Sequence, residues 1–329
     1  MSGLTPSAMP SVVHLLASGA SLAGPDLARR LGISRAAVWK QIDVLRHAGL
    51  EVMSDARGYR LQRRLDLLDV EQIRADLSSA LRRQVGQIEN HWRLDSTSNE
   101  LARRAASLPD LSFVFADWQQ AGRGRRGRQW LSPPASNLQF SCLKRFNGSY
   151  AALSGLSLAV GIAAVRALES CGVGGVALKW PNDLVHHGAK LGGILVELGG
   201  EFMGPCYAII GIGINMYLPE VMRRTLDKPS VDLTELCGGA VPTRNELAGA
   251  LIARLAVELE AFDQSGFSAF AETWAARDAL AGRRVRIEQA RGHFDDGIAE
   301  GVDARGALRV RTAAGLCSID SGEVTVRPA

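Results

Sequence analysis

Residues 122–128 read Gly-Arg-Gly-Arg-Arg-Gly-Arg, three glycines and four arginines in seven positions. No regular element accommodates that run. Each glycine costs a helix about 1 kcal/mol relative to alanine, and four guanidinium groups this close repel one another unless an anion lies among them. Polyphosphate is the chemistry that fits. Glycines bare the backbone N–H groups and let the chain wrap, while arginine forks grip phosphate oxygens two at a time. Such a loop is expected to be mobile alone and to order on its ligand. A solvated surface loop or an RGG-type nucleic-acid tract shares the composition. Context favours the clamp: Phe113–Trp118 alternates as a strand just before, Gln119-Gln120-Ala121 leads in, and Trp130 follows and can stack on a base. The run does not repeat and does not lie in low-complexity sequence.

The rest of the chain bounds the answer. Its 329 residues suggest two to three domains. With 47% hydrophobic and 22% charged residues it is globular, and 12 prolines without a Gly-X-Y period exclude collagen. A net charge of +4 excludes a whole-chain polycation but not a local basic patch. The five cysteines are scattered with no Cys-x-x-Cys spacing, so neither a zinc site nor a disulfide framework is expected. His186 and His187 read as an exposed loop pair, and no metal site built by protein alone is expected. No basic region followed by an apolar core opens the chain. The stretch 149–165 is broken by Ser154, Gly155, Ser157 and Gly161, and reads as a buried helix rather than a membrane span. A cytoplasmic protein without membrane contact is the expectation.

Residues 1–62 hold three short helical patterns. Val12, Val13, Leu15 and Leu16 mark the first. Gly24 as N-cap and Pro25 at the first helical position open the second, which stops at Gly32. Ser34 caps the third, with Val38, Ile42 and Leu45 on one face and Gly49 beyond its end. A hairpin over 51–61, with Gly58 inside it, completes a winged helix-turn-helix pattern. Ser34, Arg35, Ala36, Trp39 and Lys40 present small and basic groups where a recognition helix enters a major groove. Seven basic residues face four acidic ones, a segment charge of +3. A helical cap with merely solvated charges is the blander reading. The modest charge points to specific binding by a dimer.

Further on, Val176–Trp180 is a strand ended by Pro181, with Asn182-Asp183 in the turn. Lys190 stands before Gly192 and Gly193 at the start of another strand, where an ammonium can reach a carboxylate or an α-phosphate. Alone, such a lysine is usually a solvated charge. Asn182 and Asn215 can hydrogen-bond an adenine or anchor a metal-bound phosphate, and each alone is more often a turn residue. Gly211-Ile-Gly-Ile-Asn lacks the third glycine and the following helix of a dinucleotide fingerprint, so the Rossmann reading is rejected.

These pieces, GISRAAVWKQIDVLR (Gly32–Arg46), QQAGRGRRGRQW (Gln119–Trp130), KWPND (Lys179–Asp183), KLGGILVEL (Lys190–Leu198) and GIGIN (Gly211–Asn215), resemble the bifunctional biotin–protein ligase and biotin-operon repressor family in order and spacing. The resemblance covers almost the whole chain. It implies an α+β multi-domain fold: a winged helix-turn-helix (1–62), a mixed α/β biotin/lipoate ligase-like catalytic domain (63–279) and an SH3-like C-terminal β-barrel (280–329). It implies ATP, Mg2+ held with the nucleotide, biotin as substrate, and biotinyl-5′-AMP as intermediate and corepressor. The implied partners are a biotin carboxyl carrier protein domain, operator DNA and a second copy of the chain, with dimerisation and carrier docking sharing one sheet edge.

By match of motif, the resemblance assigns Lys190, Arg125 and Arg123 to catalysis. Ser96, Thr97, Ser98, Gln119, Gly122, Arg123, Gly124, Arg125, Lys190, Gly192 and Gly193 would bind biotin. Arg126, Arg128, Trp130, Asn182, Asp183 and Asn215 would serve the nucleotide. Where the family motif reads Asp-Ser-Thr-Asn, this chain has Asp95-Ser96-Thr97-Ser98-Asn99. No acid–base dyad is evident, so charge stabilisation and positioning should carry the chemistry. The rival readings are a biotin-sensing repressor without ligase activity and a lipoate or octanoate ligase. Outside the motifs, Thr243 and Glu246 form a capping box for a helix to Phe262. Short strands are expected around Val285/Ile287, Leu308/Val310 and Val324/Val326, with a turn at Asp303–Gly306.

Overall fold

The structure is a computed structural model that describes residues 11–288, 294–320 and 325–328. Its N-terminal part comprises α1 (Ser11–Leu16), α2 (Gly24–Leu31), α3 (Arg35–His47) and a hairpin of β1 (Val52–Asp55) and β2 (Gly58–Leu61). Ala23 rather than Gly24 is the N-cap of α2, because Gly24 already has helical geometry and Pro25 follows in the first turn. Gly32 adopts φ +64° and returns its N–H to the carbonyls of Ala28 and Arg29, ending the helix. Ser34 Oγ accepts the Ala37 N–H at 3.1 Å and starts α3. The buried residues Val38, Ile42 and Leu45 pack with Val12, Val13, Leu16, Leu27 and Leu61 into a core of their own. Gly58 holds φ +118°, and a Cβ there would stand 2.2 Å from Leu22 O, so the wing requires glycine at this point.

The central part runs α4 (Val70–Asp76), α5 (Ser79–Gln84), β3 (Ile88–Leu94), α6 (Thr97–Arg104), β4 (Ser112–Gln119), β5 (Asn137–Phe146) and α7 (Leu156–Ser170). It continues through β6 (Ala177–Lys179), β7 (Asp183–His186), β8 (Ala189–Gly200), β9 (Cys206–Asn215), α8 (Glu220–Arg223), α9 (Leu233–Cys237), α10 (Arg244–Ser265) and α11 (Ala271–Ala275). The seven strands form one mixed sheet in the order β3-β4-β5-β9-β8-β7-β6, with β3 and β4 parallel and the other neighbours antiparallel. Phe113 and Phe115 join α7 and α10 in the main core. Val114, between them, joins a smaller cluster with Leu101 of α6. The helical stretch Tyr150–Ser170, which ends in α7, has the length and composition of a membrane span, yet it is mostly buried in this core. The Thr243–Glu246 capping box is formed at the start of α10. Asp183 opens β7 rather than sitting in the turn, and His186 ends that strand half-buried while His187 is exposed at φ +47°.

The C-terminal part is a five-stranded antiparallel sheet of β10 (Arg284–Glu288), β11 (Phe294–Val302), β12 (Leu308–Thr312), β13 (Gly315–Ile319) and β14 (Thr325–Pro328). The order is β13-β12-β11-β10-β14, and no pairing of the outer strands into a closed barrel is seen among the described residues. Val285, Ile287, Leu308 and Val310 face the core, and Gly306 closes the expected turn on Asp303 O at 2.9 Å. Val324 lies outside the described residues. β11 and β13 escaped the sequence reading: the first carries three acids and two glycines, which β-propensity disfavours, and the second, Gly-Leu-Cys-Ser-Ile, opens on glycine and has a single β-branched residue.

The segment after the wing is tied down. Arg63 donates to Ala135 O at 2.9 Å and Ser136 Oγ at 3.0 Å, and stacks over the Tyr217 ring at 4.5 Å. The Tyr217 hydroxyl donates to Glu51 of the N-terminal part at 3.0 Å. Arg244 donates to Asp66 O at 2.9 Å and pairs with Asp117, both side chains only 1% exposed.

Candidate active site

A cavity of about 630 Å³ opens against the ends of β4, β8 and β9. One end is neutral and hydrogen-bonding. Ser96 is the N-cap of α6, which places Thr97 and Ser98 at the first helical turn, facing Gln119 at the end of β4. Buried polar groups are costly unless paired, and these pair with one another. Gln119 Oε1 accepts from Thr97 N at 2.8 Å and Thr97 Oγ1 at 3.2 Å, while its Nε2 donates to Gln139 Oε1 at 3.3 Å. Ser141 Oγ lies 2.7 Å from Thr97 Oγ1 and 2.9 Å from Ser98 Oγ. An enclosed set of hydroxyls and amides suits a small uncharged polar head recognised by orientation.

The floor is glycine. Gly193 pairs with Gly213 and Leu195 with Gly211 across β8 and β9. A Cβ at Gly211 would lie 3.1 Å from Ser98 Oγ, and one at Gly213 only 2.5 Å from the Trp130 ring. Bare backbone therefore lets the indole press against the strand. Gly122 instead lies against the Trp130 backbone, since a Cβ there would stand 2.5 Å from Trp130 O.

The other end is cationic. Arg123, Gly124, Arg125 and Arg128 of the loop line the cavity with Lys190 and Lys228. The loop makes only a single tight turn over Arg125–Gly127, with Arg126 at φ +57°. Arg123 pairs with Glu197 at 2.6 Å, and Lys190 Nζ pairs with Asp183 Oδ1 at 2.6 Å while standing 5.8 Å from the Trp130 ring centre. Burial lowers the proton affinity of Arg125, and the Asp183 charge opposes that effect.

Of the residues singled out from sequence, Ser96, Thr97, Ser98, Gln119, Arg123, Gly124, Arg125, Arg128, Trp130, Asn182, Asp183, Lys190, Gly193 and Asn215 all line this one cavity. Gly122, Arg126 and Gly192 do not line it. Gly192 faces the opposite side of the sheet, with Leu184 Cδ1 3.0 Å from its ideal Cβ. The asparagines that line the cavity also brace its backbone. Asn182 Nδ2 donates to Ile194 O at 2.8 Å. Asn215 Nδ2 donates to Lys190 O at 3.4 Å and Val231 O at 3.1 Å, so it staples the strand that presents Lys190. Gln139, Ser141 and the segment 226–230 were missed. Gln139 and Ser141 alternate with the apolar Leu138, Phe140 and Cys142, a signal that both face one side.

Among the described residues no cluster of three metal-ligating side chains occurs. Asp183 and Asp227 are the carboxylates lining the cavity. A Mg2+ ion here would rest mainly on phosphate oxygens, as is usual for nucleotide sites. Away from the cavity, Ser34, Arg35, Ala36, Trp39 and Lys40 are exposed together at the start of α3, Trp39 by 58%.

Residues 92–215 match the Biotin/lipoate A/B protein ligase family, residues 11–60 an HTH domain, and residues 281–327 the Biotin protein ligase C terminal domain. The chain is 37% identical to the bifunctional ligase/repressor BirA of Salmonella typhimurium over 97% of each chain. It is 36% identical to the Escherichia coli protein of the same name, again over 97% of each. A biotin–[acetyl-CoA-carboxylase] ligase of Paracoccus denitrificans is 35% identical over 70% of this chain and 97% of its own. Among solved structures, the biotin protein ligase from Aquifex aeolicus in complex with biotin and ATP aligns with a TM-score of 0.63 at 26% identity. The alignment covers 74% of this chain and 99% of that one.

Proposed function

The chain belongs to the bifunctional biotin ligase/repressor family, and from that premise we propose how its cavity and its N-terminal helices divide the work. It is a biotin–[acetyl-CoA-carboxylase] ligase with a helix-turn-helix DNA-binding domain. In the first step a biotin carboxylate oxygen attacks the α-phosphorus of ATP, the bond to the β-phosphate oxygen breaks, and pyrophosphate leaves. In the second, a carrier lysine amine attacks the acyl carbon of biotinyl-5′-AMP, forming an amide and expelling AMP.

The observation that carries this reading is the polarity of the cavity. A neutral hydrogen-bonding end and a cationic end share one glycine floor, and Lys190 Nζ sits just above Gly193, 3.1 Å from where its Cβ would be. Ser96, Thr97, Ser98 and Gln119 orient the biotin head. Arg123, Arg125 and Lys190 draw together two anions, carboxylate and phosphate, that otherwise repel. Gly124 and Gly193 let the reactants approach the backbone, Trp130 stacks on adenine, Arg128 neutralises the phosphates, and Arg126 joins it only when the loop orders around the nucleotide. Asp183 and Asp227 are the carboxylates that would help hold a Mg2+ ion brought with ATP, which would offset phosphate charge. Positioning and charge compensation of this kind account for most of the rate in such transfers.

Biotinyl-5′-AMP also acts as corepressor. Ordering of 122–128 around it shifts the protein toward a dimer whose two α3 helices read two operator half-sites. Carrier docking competes with that dimer for one sheet edge, so unmodified carrier lifts repression. Functional boundaries near residues 62 and 279 follow from this division. The test supplies labelled biotin and ATP to a biotin carboxyl carrier domain and, separately, to a lipoyl domain. Label on the carrier lysine alone is expected, and its absence contradicts the ligase role. Operator binding as tight without the adenylate as with it contradicts the switch.

A further inference from the structure

The segment after β9 brings a cation to the cavity that no motif announces. Lys190 N donates to Pro229 O at 2.9 Å, and Val231 N donates to Lys190 O at 3.0 Å. Ser230 is thereby the parallel bridge partner of Lys190, and Asn215 Nδ2 bonds both Lys190 O and Val231 O. Residues 229–231 thus run as an added strand beside Lys190. The segment is held at its base by Asp232, whose carboxylate is 2% exposed, accepts from Leu218 N at 2.8 Å and pairs with Arg223. Arg223 Nη1 also donates to Ser230 O at 3.3 Å.

Two residues before Ser230, Lys228 stands at the rim and lines the cavity. Among the described residues its ammonium makes no ion pair, unlike Lys190 and Arg123. Partial burial, then the charges of Arg128, Lys179 and Lys190, lower its proton affinity, with Asp183 opposing. Cations therefore gather on this side around Asp183, which Lys190 already occupies. A cationic surplus at the mouth of a nucleotide cavity calls for the anion carrying most charge.

We propose that Lys228 is a further catalytic residue of the adenylation step, contacting the β- and γ-phosphates of ATP and stabilising pyrophosphate as it departs. The assignment rests on the ligase reading above. As the carboxylate oxygen bonds to the α-phosphorus, the electron pair of the breaking bond passes to the pyrophosphate oxygen. Negative charge grows on the side where Lys228 stands, and no proton needs to move.

The test separates the two half-reactions of the full-length protein. Lys228→Ala should lower kcat/KM for ATP in biotinyl-5′-AMP formation by roughly 10- to 100-fold, the scale of one charge-assisted contact to a developing anion. KM for biotin should stay within about twofold, since the neutral end of the cavity is untouched. Lys228→Arg should restore most of the loss. Transfer from preformed biotinyl-5′-AMP to the carrier should be unchanged, because that substrate carries no β- or γ-phosphate. Equal losses in both half-reactions would make Lys228 a support of its segment, and an unaltered ATP dependence would remove it from the site; either overturns the proposal. Failure of the parent protein to form the adenylate would instead overturn the ligase reading itself.

Discussion

Lys190 Nζ and Asp183 Oδ1 stand 2.6 Å apart, so the ammonium that should meet the reacting anions is held in place by a carboxylate beforehand. The pair is partly solvated, with side chains 30% and 18% exposed, and a pair of this kind adds about 0–1 kcal/mol to stability. Lys190→Met should therefore leave the melting temperature nearly unchanged. Adenylate formation should fall by about 100-fold or more, as when one preorganised charge is removed from a transition state. Single-turnover kinetics with thermal melts of the same sample check both halves of the expectation.

Gly213→Ala tests the glycine floor. The new methyl would sit 2.5 Å from the Trp130 ring, which cannot move without leaving the strand. Overpacking of this sort costs about 1–3 kcal/mol. KM for ATP should rise more than KM for biotin if Trp130 stacks on adenine as proposed. Steady-state kinetics with each substrate varied in turn would show the difference.

Arg244→Met should be among the most damaging changes far from the cavity. Asp117 would remain buried with Asn90 Nδ2 as its neutral partner at 3.0 Å. An uncompensated buried charge of this kind costs about 3–5 kcal/mol. The double variant Arg244→Met with Asp117→Leu should recover much of the loss in urea denaturation. If the single variant is as stable as the parent, this pair does not hold the segment after the wing.

That pair also shows what could be read beforehand. The Gly–Arg loop, the Lys190 strand, the capping box and the third helix of the N-terminal part were legible because each rests on local chemistry: φ requirements, caps and periodicity. Arg244 looked like an ordinary first-turn residue of α10, since its partners Asp66 and Asp117 lie 178 and 127 residues away. Gln139 and Lys228 were hidden for the same reason. Each becomes a site residue only when distant strands are paired. The asparagines were legible as important, but their donation to backbone carbonyls of Ile194, Lys190 and Val231 depended on the sheet.

Acid stability should report the ion pairs that Arg103 and Arg104, in the last turn of α6, make with Asp95 and Glu89. The Arg103 guanidinium, helped by Asn99, holds the Asp95 carboxyl well below the usual carboxylate range, and Arg104 likewise depresses Glu89. A carboxylate depressed on folding adds stability above its unfolded value of about 3.9, and that stability fades as pH falls through the folded value. Arg103→Gln should therefore melt below the parent at pH 7. The gap should start to shrink as pH falls below about 3.9, where the unfolded carboxylate takes up its proton while the folded one stays ionised. Melting curves from pH 7 to pH 2 would show it, and a gap that is constant with pH would contradict the assignment.

The central claim is that one cavity joins biotin, and not a related acid, to the α-phosphate of ATP. ATP–pyrophosphate exchange with Mg2+ tests it most directly, with biotin, lipoate and octanoate supplied in parallel to the full-length protein. Exchange with biotin alone is the predicted result. Exchange driven by lipoate or octanoate, or by no acid at all, would contradict it.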